Sequence, residues 1–293
     1  MQRKDFLKLI PFLPLTAAAM KLNELNKMTG SFTSTPKMPV LFLGHGSPMN
    51  AIEQNEFSKG WENIGKTLPA PSAILCVSAH WETKGTFVTA MEKPETIHDF
   101  GGFPKELFDL QYPAPGSPEL ANETKNTVKK TMVALDQSWG LDHGCWSVVK
   151  HLYPNANIPV IQLSLDRFQS PQYHYDLAKE LAPLREKGIL IIGSGNMVHN
   201  LRIMNWNTPE TGFDWALEAN ATLKKLIMNN DHQQVIKYDS LGKSLQLAVP
   251  TPEHFLPLLY TLGLKAADES VSFFNDKTIM GSISMTSLKI GKS

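Results

Sequence analysis

At 293 residues and 42% hydrophobic, the chain is long enough to bury one large core. Its 28 basic side chains match its 28 acidic ones, so no net field recommends nucleic acid or an anionic membrane surface as partner; a small neutral or mixed-charge molecule fits better. The two cysteines, Cys76 and Cys145, form no Cys-x-x-Cys pattern. Cys76 lies in the apolar run AILCVSAH and reads as a buried hydrophobe, whereas Cys145 stands two residues after His143, near a candidate pocket.

Residues 1–37 read as a leader followed by a linker. Arg3, Lys4 and Lys8 form a charged start, an apolar stretch runs from Leu9 to Met20, and Ala17, Ala18 and Ala19 lie near its end, the layout of a secretory signal. RKDFLK resembles the twin-arginine export motif with Lys4 in place of the second arginine, so a periplasmic address stands beside a cytoplasmic one. Pro11 and Pro14 interrupt the apolar run, which is too short for a membrane-spanning helix, and no integral membrane segment is expected. Lys21 to Lys37 is polar and rich in Thr and Ser, as linkers are.

One globular domain is expected over 38–293. PVLFLG, SAILCVSAH, IPVIQLSL and GILIIGSG are short apolar runs bounded by Gly, Pro or Ser, the pattern of strands buried on both faces. Helical spacing predicts helices over Pro118 to Leu135, Pro171 to Lys187 and Phe213 to Met228. Strands alternating with helices give an α/β fold, a single domain with a mostly parallel central sheet flanked by helices.

In such sheets the loops at the carboxyl ends of the strands converge on the ligand. His45 follows PVLFL by two residues, His80 ends AILCVSA and His199 follows GILIIGSG, so three strands deliver a histidine to one edge. His254 falls on the first turn of a helix predicted from Pro252 through Tyr260. Imidazole is a common metal ligand, and the ligands of one ion must come from several elements. Gly44, Gly46, Gly193 and Gly195 would let backbone come close to such a centre. A mononuclear metal site at the carboxyl edge is therefore expected. His143 in DHGCW reads as a turn residue that could face the same cavity, and His98 in IHDFGGFP sits on a loop long enough to cover it. His151, His174 and His232 lack convergent polar neighbours and are assigned to structure or surface. On these residues alone, a zinc-dependent hydrolase and a non-catalytic metal- or ligand-binding protein stand beside a redox enzyme.

GHGSPMN, SAHWET, IHDFGGFP, YPAPGSPEL, DHGCW, GSGNMVHNL and TPEHFLPLLY, in this order, closely resemble the 4,5-DOPA extradiol dioxygenase family. That family lies within the class III extradiol ring-cleavage enzymes, with the protocatechuate 4,5-dioxygenase catalytic subunit. The resemblance runs from Met38 to Ile290. It implies a non-haem enzyme that uses one divalent metal ion, Zn²⁺ or Fe²⁺, and O2 as co-substrate to open a small catechol such as DOPA to a semialdehyde-type product. By the same resemblance His45, His80 and His254 are metal ligands, His199 is a further ligand or the acid/base, and His143 contacts substrate or oxygen. Ser47, His98 and Asn196 would line the substrate pocket. Many non-haem iron(II) oxygenases use two histidines and a carboxylate, whereas here the third position is His254 with Glu253 beside it. An uncharged trio suits Zn²⁺ as readily as Fe²⁺, but zinc has no redox chemistry, so Fe²⁺ is the expected working ion. The resemblance implies no particular oligomeric state.

Overall fold

In the computed structural model, which describes residues 32–292, ten strands appear in chain order. They are β1 (Val40–Gly44), β2 (Ala73–Thr83), β3 (Thr86–Thr89), β4 (Val133–Asp136), β5 (Val160–Asp166), β6 (Ile189–Gly195), β7 (Ser270–Phe274), β8 (Thr278–Ile279), β9 (Ile283–Ser284) and β10 (Ser287–Gly291). The described helices of eight residues or more are α1 (Glu56–Thr67), α2 (Pro118–Thr127), α3 (His143–Leu152), α4 (Pro171–Glu180), α5 (Asp214–Met228) and α6 (Leu256–Gly263).

The four apolar runs become β1, β2, β5 and β6, the parallel centre of a sheet ordered β4-β3-β5-β2-β6-β1-β10-β7. Every residue of β1, β5 and β6 is buried, which requires cover on both faces. On one face Leu41, Leu43, Ile74 and Ile192 meet Trp61 of α1 and Trp146 of α3. On the other, α6 lies over β6. Antiparallel strands flank this centre, β10 against β1 and β3 against β5. The remaining two strands, β8 and β9, pair as a separate antiparallel ribbon.

Two predicted helices prove shorter. The helix from Pro118 stops at Thr127, because the Lys129 and Lys130 amides donate to the Glu180 carboxylate at 2.6 and 3.1 Å, and Val133–Asp136 leaves to pair with β3. The helix from Pro171 stops at Glu180; Pro183, which has no N–H to extend the ladder, opens a separate turn at Ala182–Arg185. The leader reading falls on residues 1–31, outside the described ones. Within the expected linker, the Thr35 amide already donates to Glu186 O at 2.7 Å. Among the described residues no helix is long and apolar enough to cross a membrane.

His174 is fully buried between α4 and α6, its Nδ1 3.1 Å from the Tyr260 hydroxyl, and burial lowers its pKa from 6.5 to about 4. The unfolded chain therefore binds this proton more tightly, so the stability held above pH 6.5 is lost as pH falls toward 4. At most about 3 kcal/mol is at stake. Urea melts between pH 7 and 4 should show a shallower acid limb for His174→Gln than for the wild type; parallel limbs would remove this histidine from the acid response.

Candidate metal centre

Because β6 lies between β1 and β2, the ends that carry His45, His80 and the segment Asn196 to His199 are neighbours. His45 continues the β1 ladder, its amide donating to Gly195 O at 3.2 Å. β2 does not end at His80 but runs on to Thr83, and its register against β5 breaks between Val77 and Glu82. His80 sits in that irregularity, where a strand can re-aim a side chain.

His254 lies in the turn before α6 rather than on the helix's first turn; α6 begins at Leu256, with Pro257 where no amide partner is needed. The His254 carbonyl accepts the Asn196 amide at 2.8 Å. It also presses on Gly195, where an added Cβ would stand 2.2 Å from that oxygen. Gly195→Ala should therefore displace the His254 turn, costing about 1–3 kcal/mol as overpacking does. Thermal melts and metal titration check this: a lower Tm with weakened metal binding is expected, and an unchanged variant would mean that the turn has slack.

The nitrogens of His45, His80 and His254 lie within 4.8 Å of one another, with the Nε2 atoms of His45 and His80 3.2 Å apart. Each Nδ1 faces a polar partner. Ser194 Oγ donates to Gly144 O, so it accepts from His45 Nδ1–H at 3.0 Å. Glu253 Oε1 lies 3.0 Å from His254 Nδ1, and Asp99 Oδ2 lies 3.5 Å from His80 Nδ1. Acceptors at the Nδ1 of His45 and His254 hold the proton there and leave an Nε2 lone pair on those two rings, which is how outer partners orient metal-binding histidines. Three imidazole nitrogens this close together suit a cation. Glu253 backs the His254 ring and takes no place among these three.

Burial depresses the protonation of all these rings. It holds His45 well below the usual value, with His80 adding to the effect, and His254 likewise, with His199 adding to it. His80 falls to about 3, from burial and then His143 against the pull of Asp99, and His199 to about 4, from burial against the pull of Glu253. All four are neutral at pH 7 and ready to coordinate or accept a proton.

His199 stacks on His254, ring centroids 3.5 Å apart and planes 10° from parallel, and its nitrogen groups with Glu253 and His254 and not with His45 and His80. His143 packs on His80 at 3.9 Å between centroids. It is the first residue of α3 and not a turn residue, and Asp142 caps that helix. Ser78 Oγ and Gln162 Nε2 both donate to the Asp142 carboxylate at 2.6 Å, fixing the helix start to β2 and β5. Asp99 Oδ1 accepts the His143 amide at 2.9 Å and lies 3.0 Å from its Nδ1.

A cavity of about 310 Å³ opens over the trio. Ser47 and the histidines at 45, 80, 143, 199 and 254 line it together with the apolar Phe103, Leu201, Met204, Trp206 and Ile283. His98 does not reach it: its Nε2 meets Leu110 O at 2.9 Å, and the ring packs among Phe100, Phe108 and Trp146. Asn196 is also behind the site, buried, donating from Nδ2 to Ser284 O at 2.8 Å. Both cysteines are buried and free, and neither lines the cavity. Asp99 and Ser194, which contact the histidines from behind, have only one local signal in the sequence, adjacency to His98 and to the glycines of GSG.

A largely parallel sheet whose carboxyl edge gathers neutral imidazoles under a mostly apolar cavity makes an α/β scaffold with a histidine group that could hold a cation. The chain belongs to the family described as the catalytic LigB subunit of aromatic ring-opening dioxygenase, which matches residues 38–286. It is 46% identical over 263 residues to a 4,5-DOPA dioxygenase extradiol of Escherichia coli (strain K12), covering 88% of this chain and 96% of that protein. A protein of the same name from Beta vulgaris is 37% identical over 259 residues, covering 85% and 94%. A crystal structure of an uncharacterized protein from Escherichia coli K12 aligns with a TM-score of 0.74 at 40% identity, covering 87% of this chain and 100% of that one. The chain is thus an extradiol aromatic ring-opening dioxygenase, and the hydrolase and non-catalytic readings are set aside.

Proposed function

We propose that His45, His80 and His254 hold one divalent metal ion, Fe²⁺ in the working enzyme, and that the chain opens the ring of a catechol such as DOPA with O2. The observation that carries this reading is the convergence of three imidazoles beside a cavity lined by histidines and apolar side chains. A bound ion would lower the pKa of a catechol hydroxyl and, as Fe²⁺, supply the redox activity that dioxygen chemistry requires. Phe103, Met204 and Trp206 offer apolar surface to the flat ring. His199, neutral and outside the trio, takes the hydroxyl proton. His143, held through Asp99, meets substrate or oxygen from the His80 end of the site. The names of the relatives support DOPA as the substrate.

Anaerobic loading with Fe²⁺ or Zn²⁺, followed by air and a panel of catechols, tests the proposal. The Fe²⁺ protein should consume oxygen and form a yellow ring-opened product, while the Zn²⁺ protein should bind catechols without turnover. Absence of oxygen uptake with every catechol would sink it.

A further inference from the structure

A second chamber of about 420 Å³ adjoins the catalytic cavity. Ser47, Phe103, Trp206, Ile279 and Met280 line both, so the two form one continuous cleft. The chemistry changes across this common wall. The first cavity is imidazole and hydrocarbon, whereas the second carries Glu53, Glu56, Glu210 and Lys277. The Lys277 ammonium is already engaged, 2.6 Å from Glu56 Oε1 and paired with Glu210 on its other side. Glu53 has no cationic partner among the described residues; Asn55 Nδ2 approaches its carboxylate at 3.4 Å. Three carboxylates against one ammonium leave the chamber net negative.

A catechol whose hydroxyls face the histidine trio carries its arm on the opposite side of the ring. We propose that the second chamber receives this arm and selects a positively charged one, favouring catechols that bear an ammonium over those whose arm is only a carboxylate. The inference rests on the ring-cleavage reading for the seat of the ring. An ammonium arm docks on Glu53, the carboxylate without a counter-ion. An anionic arm meets like charge there and finds Lys277 already neutralised by its two partners. Because Glu53, Glu56 and Glu210 are exposed, water and salt screen them, so the selection is modest and depends on ionic strength.

Calorimetric dissociation constants on the full chain loaded with redox-inert Zn²⁺ test this, using catechols with an aminoethyl, a propionate and a plain ethyl arm. At low salt the aminoethyl compound should bind about 3- to 10-fold tighter than the propionate, and the gap should shrink at high salt. Glu53→Gln should narrow the gap and Glu53→Lys should reverse it, with the ethyl compound unchanged in both. Equal or tighter binding of the propionate by the wild type, or the same gap in Glu53→Lys, overturns the proposal. Oxygen uptake by the Fe²⁺ protein on the ethyl compound reports separately on ring cleavage: if it is absent, that reading fails while the order of affinities still judges the chamber.

Discussion

His45→Ala should lose more metal affinity than any change behind the trio. His45 is the most buried of the three convergent imidazoles, and its removal leaves two nitrogens where three met. Losing an outer hydrogen-bond partner of a metal-bound histidine costs roughly 10- to 100-fold in affinity. That is the expected size for Ser194→Ala, which frees His45 Nδ1 but leaves its ring in place. Deleting the ligand itself should exceed that range and remove ring opening with it. Competition with a chromogenic chelator measures both variants on folded protein, and circular dichroism checks the fold. Near-normal metal affinity in His45→Ala would take this residue out of the centre.

His199→Phe should lower kcat by about 10²- to 10⁴-fold, the usual contribution of a positioned proton-transfer group, while metal content stays normal. Phenylalanine is the informative replacement because it keeps a flat ring against His254, where the imidazoles stack at 3.5 Å, and removes only the nitrogens. A purely packing role predicts that Phe rescues what Ala loses. A metal-ligand role predicts a loss of bound metal in both variants. Normal metal with a deep fall in kcat is the signature of the acid/base, and metal analysis beside steady-state kinetics distinguishes the three.

The centre of the sheet is legible in the sequence because its strands are unbroken apolar runs closed by Gly, Pro or Ser. Its flanks are not. VALD reads as the tail of the preceding helix until its pairing with TFVT is known, and that pairing joins residues more than forty positions apart. Helix α3 escapes for a different reason: nearly all its residues are buried, so no polar face marks a helical period, although Asp142 is a sound cap. α1 carries Gly60 and Gly65 inside it, yet Asn55 and Ser58 form a capping box that does signal its start.

For the site, position relative to the end of a strand is a local property, and it places His45 and the segment leading to His199 on one edge; His80 joins them from the irregularity within β2, which no local pattern shows. What turns an imidazole into a ligand is not local. Ser194 and Asp99 reach their histidines through tertiary packing, and spacing along the chain carries no trace of it. On the loop IHDFGGFP the same limit separates neighbours: His98 turns into an aromatic cluster while Asp99 turns toward the cavity histidines.

The imidazoles of the trio come from the end of β1, from the irregularity within β2 and from a turn pinned on Gly195, whereas the apolar lining of the cavity comes from Phe103, the segment 201–206 and the ribbon of β8 and β9. Changes in those segments can alter which aromatic compound is admitted while the nitrogens of the trio stay where the sheet and its turns put them. Substrate range in this scaffold is thus an evolvable trait, separable from oxygen chemistry. A directed-evolution library confined to the wall should yield new ring preferences without first having to rebuild a metal site.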